Sequence, residues 1–263
     1  MITLRRLLSS AAAMAAVTVL AACGATQPVP NSEAKVPPAT SMSRSSPTPR
    51  PSWSKPHPVD CRKTRCVALT FDAGPGPYTA RLLDILKAKR ANATFFLLGK
   101  KNVTRYPQLV RREAAEGHEL GNHTWTHARL TAVSESEIRR QLTLVQERVK
   151  DLTGRTLTLM RPPQGSTDAR VAKVSRSLGL AQILWTDTAK DYRDHNPQII
   201  KRRILDGAER NGIILLHDVY PGTVPAVADI IDGLRQRGLT PVTVSQLFAP
   251  DKPQPGRAYW NAP

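Results

Sequence analysis

Residues 68–79 read ALTFDAGPGPYT. An apolar, partly β-branched run, Cys66–Phe71, carries straight into Asp72 and then into a turn built from Gly74, Pro75 and Pro77. A buried strand that delivers a carboxylate to a rigid turn is how α/β proteins place reacting groups, because the strand fixes the position and the turn exposes the side chain. The neighbouring position, where a second carboxylate could act with the first, is Ala73.

Outward from this stretch, strand and helix patterns alternate. Leucines and isoleucine at 82, 83, 85 and 86 give Thr79–Arg90 a helical apolar face. ATFFLLG is a second strand, and 107–116 is a helix opening on Pro107. GHELGNH reads as a third strand. Residues 134–152 form a long helix in which Ser134 caps and Glu137 completes a capping box. The strands RTLTLMRPP, AQILWTD, GIILLHD and LTPVTV then alternate with helices at 168–178, 197–210 and 224–236. Seven strands separated by helices predict a parallel sheet with helical cover. No G-x-G-x-x-G follows the first strand, so a distorted (β/α) barrel of about seven parallel strands fits better than an open dinucleotide-binding sheet.

The segments before this domain read differently. Arg5 and Arg6 precede a short apolar run ending at Cys23, which is the pattern of an export signal over residues 1–22 and too short for a membrane span. Leu20-Ala21-Ala22-Cys23 resembles a bacterial lipobox, which makes Cys23 the lipidated first residue of a membrane-anchored protein; full secretion is the alternative. Residues 23–60 hold nine of the chain's 22 prolines and few large apolar side chains, a composition that cannot bury a core and reads as a tether. The domain is expected over 61–248, with 249–263 as a C-terminal tail. Cys61 and Cys66 flank CRKTRC. In an oxidising compartment they are expected to form a disulfide, since a zinc site would find only His57 nearby as a further ligand.

The net charge of +17 draws the chain toward anionic surfaces such as cell-wall polymer or acidic lipid. Export and scattered cationic positions argue against a nucleic-acid role, and a basic surface that serves solubility alone fits the charge as well as wall binding does.

Ionisable residues recur at strand ends: Asp72, the pair His123 and His127, Arg161, Asp187, and His217 with Asp218. In a barrel these ends share one face, so the side chains are expected to converge on one cleft. HTWTH places two imidazoles at i and i+4, close enough on a helical turn to share a divalent ion, zinc by preference and cobalt as the alternative. Arg161, ahead of two prolines, can hold a carboxylate ionised, and His217 can protonate a leaving group near neutral pH.

These stretches, TFDAGP, HTWTH, RPPQG, DTAKDY and LLHD, together resemble the five motifs of the polysaccharide deacetylases of carbohydrate esterase family four, the NodB-homology domain, in the family's order and over roughly 61–248. The resemblance implies metal-assisted hydrolysis of an acetyl group on a sugar polymer. It makes His123 and His127 metal ligands, Asp72 the general base, Arg161 its orienting partner, His217 the general acid and Asp191 the carboxylate behind it. Trp185, Tyr192 and Leu215 would line the acetyl pocket, and the backbone N–H of Gln164 would face the oxyanion. The sequence departs from the pattern in two places. Ala73 stands where the family has a metal-binding aspartate, and DTAKDY carries an extra residue and ends in Tyr192 instead of tryptophan. Water or a carboxylate such as Asp168 is expected to fill the gap beside Ala73. The reading is therefore a monomeric, cell-surface deacetylase acting on peptidoglycan or a chitin-like glycan. An acetylxylan esterase and a catalytically weakened or silent glycan-binding lipoprotein are its alternatives.

Overall fold

The computed structural model describes residues 59–263. The expected signal peptide, the Cys23 lipidation site and nearly all of the tether lie outside the described residues.

The sheet is parallel throughout and curls into a half-barrel flanked by helices. In chain order the elements are β1 (Cys66–Gly74), α1 (Thr79–Ala88), β2 (Thr94–Leu97), α2 (Pro107–Ala115), β3 (Glu119–Asn122), α3 (Glu135–Thr153), β4 (Leu159–Met160) and α4 (Ala169–Ser177). They continue with β5 (Ala181–Ile183), β6 (Asp187–Thr188), α5 (Pro197–Gly207), β7 (Ile213–His217), α6 (Thr223–Gln236), β8 (Thr240–Val242), α7 (Val244–Phe248) and β9 (Ala258–Tyr259). The spatial order is β6-β7-β1-β2-β3-β4-β5-β9, with β8 also pairing to β1. β5 and β6 are joined by a short link and pair to opposite ends of this path, which bends the sheet round on itself.

β1 sits at the centre and alternates between two interiors. Val67, Leu69 and Phe71 belong to the larger apolar cluster with the flanking helices, where Phe71 stacks on Phe95 at 5.4 Å. Cys66 and Ala68 pack instead with Phe96, Leu159 and Ile183. The period-two alternation of a strand thus sends Thr70 and Asp72 to the same side as Ala68, toward the hollow of the sheet. Phe96 fits there because the facing residue is Gly121: a Cβ at that position would lie 2.5 Å from its ring.

Nine strands are present among the described residues, two more than the pattern predicts. The additions, β6 and β9, are two residues each, too short to leave a periodic signal. The expected tail is part of the sheet: β9 pairs with β5, and Ala262 N–H donates to Asn211 O at 2.9 Å. The strand expected over 239–244 stops at Val242, and α7 follows it, capped by a reciprocal Thr243–Gln246 box. The box expected at α3 is only half formed. The Ser134 hydroxyl accepts from Glu137 N–H, but the Glu137 carboxylate turns to Arg140 and Gln141. Cys61 and Cys66 form a disulfide just ahead of β1.

Candidate active site

Asp72 emerges at the carboxyl end of β1 directly beside His217 at the end of β7. Its Oδ1 accepts from Arg161 Nη1 at 2.7 Å, and its Oδ2 lies 3.9 Å from His123 Nε2. Asp72 is almost fully buried and Arg161 completely so. Burying a guanidinium is tolerable only when its donors are used. Here Nη1 also reaches Thr70 Oγ1 at 2.7 Å, Nε reaches Ile183 O at 2.9 Å and Nη2 reaches Leu184 O at 2.9 Å. The guanidinium carbon sits 4.2 Å from the Phe96 ring centre. Arg161 therefore ties β1, β4 and β5 together behind Asp72.

His123 follows β3. Its Nδ1 meets the Arg161 carbonyl oxygen at 2.8 Å, so Nδ1 carries the proton and donates, leaving the Nε2 lone pair toward Asp72. Burial is the main reason its pKa falls to about 4, with the His127 and Arg161 charges acting the same way and Asp72 opposing. Burial also lowers His127. The two rings lie 4.9 Å apart, but not through a helical turn as the spacing predicts. Residues 123–129 form an irregular loop, with Thr124 at φ 69° and His127 at φ 63°. Gln141 of α3 holds it: its Oε1 accepts from Trp125 N–H at 2.9 Å and Thr126 N–H at 2.8 Å.

His217 faces this group across the cleft. Its Nδ1 pairs with Asp191 Oδ1 at 2.8 Å, which leaves Nε2 for the cavity. Burial by itself lowers the His217 pKa, but the hydrogen bond and charge of Asp191, with Asp72 and Asp218, outweigh it and the net direction is up. A cavity of about 620 Å³ joins these groups; it is lined by Asp72, Ala73, Leu98, His123, His127, Gln164, Trp185, Tyr192, Leu215, His217 and Tyr220. Left-handed backbone at Ala73 (φ 61°), His127 and Gln164 (φ 61°) is concentrated on its wall. Such conformations are costly for residues with a Cβ and persist where the surrounding structure enforces them.

Most of the expected residues converge here: Asp72, His123, His127, Arg161, His217, Asp191, Gln164, Trp185, Tyr192 and Leu215. Two do not. Asp187 is on β6 with its carboxylate against Gly207 of α5, where burial, with Asp206 and Glu209, pushes its pKa up to about 6. Asp168 caps α4, accepting from Val171 N–H at 2.9 Å and pairing with Arg170, so its oxygens are committed away from the space beside Ala73. Sequence reasoning missed Leu98, Tyr220 and Gln141. Tyr220 packs edge-on to His217 at 5.3 Å and its only signal was an aromatic residue three positions after the histidine.

The imidazoles fit a divalent ion. Burial favours the neutral, ligand-competent form of both, and His123 is oriented by a backbone acceptor behind its other nitrogen. Among the described residues, however, no group of three or more His, Cys, Asp or Glu side chains is arranged as a complete donor set.

A parallel half-barrel with an ionisable cleft at the carboxyl ends of its strands places the chain among the (β/α)-barrel proteins. Residues 60–183 match the family model described as polysaccharide deacetylase. The peptidoglycan-N-acetylglucosamine deacetylase of Listeria monocytogenes is 36% identical over 207 residues, covering 78% of this chain and 43% of the relative. The chain thus spans less than half the length of that relative. A deacetylase solved with its substrate is 39% identical, covers 76% of this chain and 99% of its own, and superposes with a TM-score of 0.73. A family-four carbohydrate esterase pseudoenzyme from Bacillus anthracis is 26% identical over 77% of this chain and 71% of its own, at a TM-score of 0.68. The chain belongs to the polysaccharide deacetylase family.

Proposed function

We propose that the protein is a metal-dependent deacetylase that hydrolyses the N-acetyl group of an N-acetylglucosamine-containing glycan, peptidoglycan or chitin-like, at the cell surface. The observation that carries this reading is the division of labour at Asp72: Oδ1 is fixed by Arg161 while Oδ2 faces the imidazole pair, with His217 across the same cavity.

His123 and His127 would hold the ion. When bound, a divalent metal polarises an acetyl carbonyl and makes water more acidic. Asp72 Oδ2 takes the proton of the attacking water, because the Arg161 hydrogen bond to Oδ1 keeps the carboxylate from rotating away. Water oxygen bonds to the acetyl carbon, the carbon–nitrogen bond breaks, and His217 Nε2 supplies the proton that the departing amine needs. Asp191 holds the imidazolium in that orientation. Trp185, Leu215 and Leu98 exclude water around the acetyl methyl, and Tyr192, half exposed, offers a ring face to a sugar. An N-terminal lipid anchor and the strongly basic chain favour the cell's own wall as substrate, with the protein acting as a monomer.

Acetate release from N-acetylglucosamine oligomers, with and without added zinc or cobalt, tests the reading. Release that needs the metal supports it. Oligomer binding with no release under any metal would replace it with a silent glycan-binding role, which Ala73 and the existence of a pseudoenzyme relative favour as the second reading.

A further inference from the structure

Asp191, behind His217, is fully buried with both oxygens engaged. Oδ1 pairs with His217 Nδ1; Oδ2 accepts from the His217 backbone N–H at 2.8 Å and from the Thr223 hydroxyl at 2.7 Å. Thr223 is the first residue of α6 and is itself fully buried. Its hydroxyl is spent on the carboxylate of another segment, and the preceding Gly222 gives the helix no side-chain cap. Gly222 permits the approach: a Cβ there would lie 1.9 Å from the His195 carbonyl oxygen.

The segment that carries Asp191 has no regular structure to hold it. Residues 189–196 are turn and coil, with Lys190 at φ 51°. Arg203 of α5 anchors the backbone at Ala189 O (3.0 Å) and pairs with Asp194 at 3.2 Å, but it touches neither Asp191 oxygen. From the helices that flank this loop, the side-chain contact made to the Asp191 carboxylate is the Thr223 hydroxyl.

We propose that Thr223 is a positioning residue for the acid histidine: its hydroxyl fixes the rotation of the Asp191 carboxylate so that Oδ1 stays on His217 Nδ1 and the ring presents Nε2 to the cavity. The inference rests on the deacetylase reading for its consequence in turnover, but not for its geometry. A threonine that merely fills space beside a buried carboxylate would be replaced by its near-isostere without effect on the imidazole.

Thr223→Val removes the donor at nearly constant shape, and Thr223→Ser keeps it. In the full chain, the downfield Nδ1 proton of His217, identified by its absence in His217→Asn, reports the bond to Asp191. We expect that resonance to be lost or exchange-broadened in Thr223→Val and restored in Thr223→Ser. On N-acetylglucosamine oligomers, kcat falls about 10-fold in Thr223→Val with KM unchanged, a part of the 10²–10⁴ that positioned proton transfer contributes. An unchanged resonance in folded Thr223→Val, or a loss that serine does not repair, overturns the proposal. Should the valine variant not fold, Thr223→Ala makes the same test. If the wild-type chain releases no acetate, the deacetylase reading fails while the resonance still decides the role of Thr223.

Discussion

Ala73→Asp tests the consequence of the missing carboxylate most directly. Ala73 lines the cavity with Asp72, His123 and His127, and its backbone is left-handed, φ 61°, at an irregularity in the β1–β2 pairing. Aspartate tolerates that conformation better than alanine, so the substitution adds a carboxylate without adding backbone strain. Loss of an outer partner of a metal ligand costs about 10–100-fold in affinity, so gain of a direct ligand is expected to tighten zinc by about 100-fold or more, roughly 2.7 kcal/mol. Metal-free protein pays for this. Two carboxylates about 5 Å apart repel by about 3 kcal/mol at an effective dielectric of about 20, which sets an upper scale for the destabilisation. Calorimetric zinc titration and thermal melting with and without chelator give both quantities. Ala73→Asp is expected to melt lower than wild type in chelator and to gain more on adding zinc. Ala73→Gly, which relieves the backbone but adds no ligand, leaves zinc affinity unchanged. Equal zinc affinity in wild type and Ala73→Asp would refute the reasoning, because it would mean another ligand already fills that place.

Asp72→Asn leaves the buried Arg161 guanidinium without its counter-charge; a loss of about 3 kcal/mol in denaturant unfolding is expected, together with acetate release reduced at least about 100-fold. Gln141→Leu strips two backbone N–H groups in the 123–129 loop of their acceptor; stability is expected to fall by about 2–4 kcal/mol and zinc affinity to weaken as His127 loosens, read by unfolding and calorimetry. Burial, helped by Arg112 and Arg155, lowers the His118 pKa to about 4, and its Nδ1 accepts from Ala93 N–H, which requires the neutral ring. Neutral His118 therefore favours the fold above the unfolded pKa of about 6.5, and that contribution, about 3 kcal/mol, is lost as pH falls toward about 4. His118→Phe is expected to flatten the fall of unfolding free energy with pH across that window.

Much of the site was legible because its residues occur in short runs. Asp72, His123, Arg161 and His217 each stand at or just beyond the end of an apolar strand, and parallel strands align such ends by construction. Where a residue lies some way beyond its strand, periodicity stops being informative. Asp187 and Asp191 look alike in DTAKDY, yet the bend that pairs β6 with β7 turns Asp187 toward α5, while the coil after it brings Asp191 under His217. Asp168 looked available as a ligand until the start of α4 claimed it as a cap. The HTWTH spacing foretold a shared face correctly in outcome but not in cause, since Gln141, more than a dozen residues away, shapes a loop where a helix was expected.

The sequence by itself determined the alternation that makes a parallel barrel, the motifs that mark the family, and the alanine at 73 where the resemblance expects an aspartate. These are local properties: apolar period, turn chemistry and residue identity at adjacent positions. The tertiary structure decided which carboxylate backs His217, that the last residues complete the sheet, and that Thr223 and Gln141 bond to Asp191 and to the 123–129 loop. Such contacts join segments far apart in the chain. Their partners are chosen by how the sheet curls and where buried donors find acceptors, and that geometry exists only once the core is packed.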